Sequence, residues 1–290
     1  FGLNPNEGNH GEDVKDYYFH VDNTPTHSYM CLLYKYPQRE FPYRWLVEEN
    51  QRRAGQGPEF ETIDTGIFDE QRYFDIYIEY AKGTHEDIAI RITAHNRGPD
   101  AAPLHILPTL WFRNTWAWGK NPKPEPQIKV ERTEGESGQQ LALLADDGDM
   151  PPDRNMPPFY SLGMRWLIGP ADGQVMVTDN ETHGARAHGP GHSSRKPHQK
   201  DAFHRYLCEG EQGSVTLKLR FTDGKKRDAL AEVDAIVDAR KAEADVFYNN
   251  IAPKTASADE KLVQRRALAG LLWTKQSYIF DVAKWLDGDN

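Results

Sequence analysis

Phe74-Asp-Ile-Tyr-Ile-Glu-Tyr80 is the stretch that decides the fold. A period of two puts Phe74, Ile76, Ile78 and Tyr80 on one face of a strand, with Asp75, Tyr77 and Glu79 on the other. Ile88, Ile90, Ile92 and Ala94 repeat the pattern. Ala81-Lys-Gly-Thr-His-Glu86 between them suits a hairpin connection, with Gly83 expected at positive φ. Two such strands in succession predict an antiparallel sheet with a buried face.

Working outward, Leu104 to Trp118 reads as a third long strand, bent at Pro108. Ile128–Val130, Leu141–Leu144, Met164–Ile168 and Val175–Val177 are shorter strand candidates, and Val215, Leu217, Leu219 and Phe221 alternate in a last one. Upstream, Lys15 to Val21 reads as a strand. Thr24 and Pro25 look like the N-cap and first residue of a helix. Tyr29, Leu32, Leu33 and Tyr36 then share one helical face, and Pro37 stops it. A short helix is expected after Pro42, through Trp45 and Leu46.

From Asp228 the period turns helical through Leu230, Val233, Val237, Ala244 and Phe247. A final helix starts at Ser257 or Asp259, with a wide apolar stripe from Leu262 to Val282. The expected architecture is mainly β: an antiparallel β-sandwich over 1–225, followed by a helical region over 226–290.

The chain has 290 residues, 11% aromatic, with a net charge of −9, a pI of about 5.7 and a mean hydropathy of −0.77. Its acidity argues against nucleic acid as a partner, since phosphate binding needs clustered Lys and Arg. No apolar run approaches the roughly 20 residues of a membrane helix, and no signal peptide is visible. The cysteines, Cys31 and Cys208, lack zinc spacing and make no disulfide framework, so a reducing, cytoplasmic setting is expected. The chain starts at Phe1 and ends in Asp-Gly-Asp-Asn290; both ends look cut, and a fragment is expected.

Two stretches carry candidate chemistry. Glu7-Gly-Asn-His-Gly-Glu-Asp13 is a glycine-hinged polar loop leading into a strand. Asn9, His10, Glu12 and Asp13 could bond a polyhydroxylated ligand, or simply the loop's own turns. Glu12 and Asp13 are adjacent and point apart in extended chain, so they make no acid/base pair by themselves. Leu110-Trp-Phe-Arg-Asn-Thr-Trp-Ala-Trp118 is the densest aromatic stretch. Trp116 and Trp118 could stack on sugar rings, whereas Trp111 is expected in the core. His183, His188, His192 and His198 lie in a Gly-rich insert without recognised ligand spacing, so no metal or other cofactor is expected.

Asn6–Phe19, Thr24–Met30, Tyr34–Gln38, Thr109–Trp116 and Leu268–Gln276 resemble signature segments of large bacterial glucosidase-like proteins. These are related to glycoside hydrolase family 63, the family of mannosyl-oligosaccharide glucosidase. The resemblance implies an N-terminal β-sandwich of the supersandwich type and a C-terminal (α/α)6 barrel. It also implies an inverting carboxylate pair in the barrel, with room for a water between the two. The carboxylates would then lie beyond Asn290, in a missing C-terminal catalytic domain, and no catalytic residue is carried onto this chain. The implied function is the non-catalytic β-domain of a hydrolase of O-glycosidic bonds, whose partner is the carbohydrate substrate. Two alternatives stand beside it: a stand-alone carbohydrate-binding or scaffold module, and a mutarotase-like epimerase that would use His95 or His105 with a carboxylate.

Overall fold

The computed structural model of the chain describes residues 17–53, 55–112, 124–135, 138–148, 162–181, 183–185, 189–194, 196–199, 217–224, 226, 228–275 and 282–287. Its strands are β1 (Tyr17–Asn23), β2 (Tyr29–Pro37), β3 (Tyr73–Thr84), β4 (Asp87–Asn96), β5 (Gln127–Gly135), β6 (Gly138–Asp146), β7 (Met164–Pro170) and β8 (Leu217–Thr222). They form one antiparallel sheet in the order β1-β2-β3-β4-β8-β7-β6-β5. Two runs of four sequential strands therefore meet where β4 pairs with β8. Helix α1 (Tyr43–Arg53) lies between β2 and β3, while α2 (Val233–Ile251), α3 (Ala258–Trp273) and α4 (Val282–Asp287) follow β8.

Both faces of the central strands are covered. On one face, Phe74, Ile76, Ile92 and Leu104 form a core with Ile78, Ile90 and Leu217 around it. Ala102, Leu104 and Ile106 lie over this face as an extended segment. On the other, Val233, Val237 and Ala244 of α2 pack on Tyr29, Cys31, Ala81 and Ala89. Ala81 and Ala89 are cross-strand partners, and their small side chains let the helix approach closely. Burying Val233 and Val237 completely stabilises this contact by about 1.5–3 kcal/mol each.

Several sequence expectations need correction. Residues 29–36 form strand β2, not a helix: this strand pairs with β1 and β3. Thr24 caps a turn instead, its Oγ1 accepting from the backbone N–H of Ser28 (2.9 Å) and of Tyr29 (3.3 Å). Residues 101–112 join no ladder, and Pro103 and Pro108 bring no N–H to offer one; residues 113–118 lie outside the described part. Val175–Val177 is not a strand. Gly83 does not sit at positive φ; it marks a register shift between β3 and β4. A Cβ there would lie 2.6 Å from Asp87 Oδ2, so close approach is what requires glycine. The apolar stripe of α2 passes through buried Tyr248 in place of Phe247. The final helix stops at Trp273 rather than running to Val282. It starts with a capping box in which Ser257 Oγ accepts from Glu260 N–H and Glu260 Oε2 from Ser257 N–H.

Because α2 supplies half of one core face, a chain ending at residue 225 should give no cooperative thermal transition by circular dichroism. One ending after Trp273 should melt cooperatively.

Candidate functional site

Asn9, His10, Glu12 and Asp13 lie outside the described residues, as do Trp116 and Trp118. The described chain begins where the polar loop enters β1. There, Tyr18 stands directly opposite Tyr34 of β2. The Tyr34 and Tyr36 rings are 6.1 Å apart, and those of Tyr18 and His20 5.5 Å. His20 stacks on Trp273 of α3 at 5.4 Å and 7°. On the opposite face, Tyr17 packs on Phe68 and Phe19. Trp111, expected in the core, is 57% exposed.

The helix-covered face carries charge where a core is usually apolar. Asp87 and Arg220 are 1% and 3% exposed and form a two-pronged pair, Nε to Oδ1 at 2.8 Å and Nη2 to Oδ2 at 2.6 Å. Lys226 adds a third bond to Asp87, while Arg220 Nη1 reaches the Ala229 carbonyl and Glu232. Burial alone would raise the Asp87 carboxyl, but the bonds from Arg220 and Lys226 outweigh it and hold it below the usual range. Further along, Glu79 accepts from the Tyr29 hydroxyl (2.7 Å) and Arg91 Nε (2.8 Å), and Arg91 also reaches Asp234 and Asp238 on α2. Burial, reinforced by Cys31 and Glu79, pushes the Tyr29 hydroxyl far up. At the β1 end, Arg265 of α3 bridges Asp22 and Asp245 and lies over the Tyr248 ring.

These groups are structural clamps, not acid/base catalysts. Asp75 behaves alike: burial raises its carboxyl, yet Lys35 (2.6 Å) and Arg97 (2.7 Å) bring it below the usual value. His95, across the strand from Asp75, is exposed and edge-on to Tyr77 at 5.9 Å. His105 is exposed on the segment covering the opposite face, so the two histidines lie on opposite sides of the sheet. Cys31 is buried, and burial pushes its thiol up to about 12, too high for a nucleophile at neutral pH.

A cavity of about 300 Å³ is lined by Glu125, Lys129 and Asp146 among others. Its carboxylates already have partners, Glu125 the Lys196 ammonium and Asp146 the Gly148 N–H. His198 approaches Asp179 at 3.6 Å, but among the described residues no group of three or more His, Cys, Asp or Glu could hold a metal ion. Among the same residues no helix is long and apolar enough to cross a membrane.

The chain aligns over its full length with the uncharacterized protein YMR196W of Saccharomyces cerevisiae, 33% identical over 343 aligned positions. It spans 31% of that protein's length. No family model and no solved structure matches the chain.

Alternation on the second face of β3 was a usable signal for the clamps, since Asp75 and Glu79 recur there on a strand flanked by others. Their partners lie up to 50 residues away, and no local pattern names them.

Two outcomes follow from the buried pairs. Arg220→Ala, which leaves Asp87 buried with only Lys226, should cost about 3–5 kcal/mol in urea unfolding. Arg72→Ala, which removes solvent-exposed pairs with Asp100 and Glu70, should leave the urea midpoint almost unchanged. The native carboxyls of Asp75 and Asp87 lie below the unfolded value near 3.8, so their stabilisation is complete above that pH and is lost as pH falls through the native values. The urea midpoint should therefore stay level from pH 7 to about 5 and drop below about 4, less steeply in Asp87→Asn.

Proposed function

We propose that the chain is the non-catalytic β-domain portion of a glycoside hydrolase that cuts O-glycosidic bonds in a longer parent. The five segments resembling family 63 glucosidases support this, and so does a sheet followed by helices. In this reading the sheet belongs to a supersandwich, and α3 and α4 lead into an (α/α)6 barrel that carries the carboxylate pair. The site's sugar contacts would include the Asn9–Asp13 loop, with Trp116 and Trp118 in reserve. The partners are a carbohydrate and the catalytic domain, with no nucleic acid, membrane or cofactor, in the cytoplasm.

The observation that carries the proposal is the state of the carboxylates. Asp22, Asp75, Glu79 and Asp87, the buried acids of the described sheet, are each held by an arginine or lysine. A hydrolytic pair needs one protonated acid and one free base flanking a water, and clamped carboxylates serve neither role. Exposed apolar side chains on α3 and α4, Leu271 and Leu286 each at 70%, supply a surface for a further helical layer.

Aryl glucosides test the proposal. The full-length parent should turn them over and the 290-residue chain should not; turnover by the chain at the parent's rate overturns the reading. In the parent, His10→Ala and Glu12→Ala should lower kcat with little change in melting temperature.

A further inference from the structure

The buried carboxylates of the sheet differ in the charge gathered around them. Asp87 and Glu232 share Arg220 and Lys226. Glu79, Asp234 and Asp238 share Arg91 and Lys218. Asp22 and Asp245 share Arg265. At each of these a second acid, on α2 or at its start, takes up the arginine's remaining N–H groups. Asp75 has two cations and no second acid: Lys35 Nζ binds its Oδ1 at 2.6 Å and Arg97 Nε its Oδ2 at 2.7 Å. Among the described residues neither cation reaches another carboxylate. This cluster keeps one net positive charge in a chain of net charge −9.

We propose that Arg97 and Lys35 bind the oxyanion of a small ligand, a carboxylate or a phosphate, in the place that a helix acid fills at the other clamps. The Asp75 side chain is only 8% exposed and holds Arg97 through Nε, so both Nη groups remain for a bidentate acceptor. The Arg97 side chain is 44% exposed, within reach of an anion from solvent. A guanidinium already fixed by a buried carboxylate loses little freedom on binding. Lys35, 4.4 Å over the Tyr73 ring, adds a point charge on the other side of Asp75.

The register places this cluster on the α2 side of the sheet, beyond the end that α2 covers. Tyr17, Lys35, Asp75 and His95 stand in one row across β1 to β4, and the Arg97 N–H continues the ladder to the Tyr73 carbonyl at 2.9 Å. The small Ala81 and Ala89 pair that admits α2 has no counterpart in this row, so a small ligand suits it better than a further helix. His95 is exposed at the rim, and its ring meets that of Tyr77 edge-on. An imidazole and a phenol beside a guanidinium fork suit a hydroxylated anion, a sugar acid or a sugar phosphate. The site is separate from the Asn9–Asp13 loop and involves no bond cleavage.

Isothermal titration of the 290-residue chain at low ionic strength with glucuronate, glucose 6-phosphate, inorganic phosphate and glucose tests the inference. At least one of the three anions should bind with a Kd of about 0.1–1 mM, and uncharged glucose at least about tenfold more weakly. Preference for glucuronate or for the phosphates tells which oxyanion the fork takes. Arg97→Lys, which keeps the charge and the bond to Asp75 but removes the fork, should weaken binding roughly tenfold with little change in the thermal melt. His95→Ala, which breaks no ion pair, should weaken it about threefold with an unchanged melt. The inference is overturned if none of the anions binds, if glucose binds as tightly as they do, if Arg97→Lys binds them like the parent sequence, or if polyglutamate binds in their place. Hydrolysis is not measured, so failure here leaves the glycosidase reading untouched, and failure of turnover leaves the anion site untouched.

Discussion

The sheet depends on the guanidinium of Arg220. Among the described residues its two four-strand halves join through β4 and β8, strands separated by more than a hundred residues of chain. Apolar pairs across this seam, such as Ile90 with Leu219, are non-directional and would tolerate a shifted partner. Arg220 would not. A slip of one residue would carry it to the apolar face and leave Asp87 buried without its main partner, at a cost of several kcal/mol. The same guanidinium binds the Ala229 carbonyl and Glu232, and so fixes how the chain leaves β8 and enters α2. One side chain thereby sets the register of the seam and the start of the helix that covers it.

The other clamps extend this logic along α2 and α3. Ala81 and Ala89 give α2 a smooth floor on which a helix could slide or rotate. Arg91, held by Glu79 in the sheet and reaching Asp234 and Asp238 on successive turns, removes that freedom. Arg265 does the same for α3, joining Asp22 of β1 to Asp245 of α2. Buried ion pairs contribute little net stability relative to apolar packing, but they discriminate strongly among arrangements. The helices that follow β8 are thus oriented by charge and held by burial.

How much of this was legible depended on how far each signal reached. The β3–β4 hairpin was plain because its apolar alternation is local. β2 was misread because its apolar residues fall on both faces and make a run in place of alternation; Tyr-Met-Cys-Leu-Leu-Tyr fits either period. Residues 102–106 do alternate, as a strand would, yet they only lay their apolar side chains on the sheet. The misreading of β2 also hid the aromatic run. On a helix, Tyr34 and Tyr36 would point some 200° apart; on a strand they share a face, and the register with β1 brings Tyr18 beside them. The polar loop and the late tryptophans were legible as chemistry but not as geometry.

The two sheet edges show why an uncharged aromatic face persists at one of them. β5, the far edge, carries Lys129, Glu131, Arg132 and Glu134, charges that discourage another strand from adding. β1 has no lysine or arginine and presents three aromatic residues in a row. It is protected differently: α3 lies along it, and the Trp273 indole N–H donates to the Asp22 carbonyl at 3.0 Å. Covering the edge with a helix relieves β1 of the need for charge. The bulge between His20 and Asp22 completes the arrangement, turning Asp22 toward Arg265 while His20 stays against Trp273. Edge protection and the stack of His20 on Trp273 are therefore products of the same contact between α3 and β1.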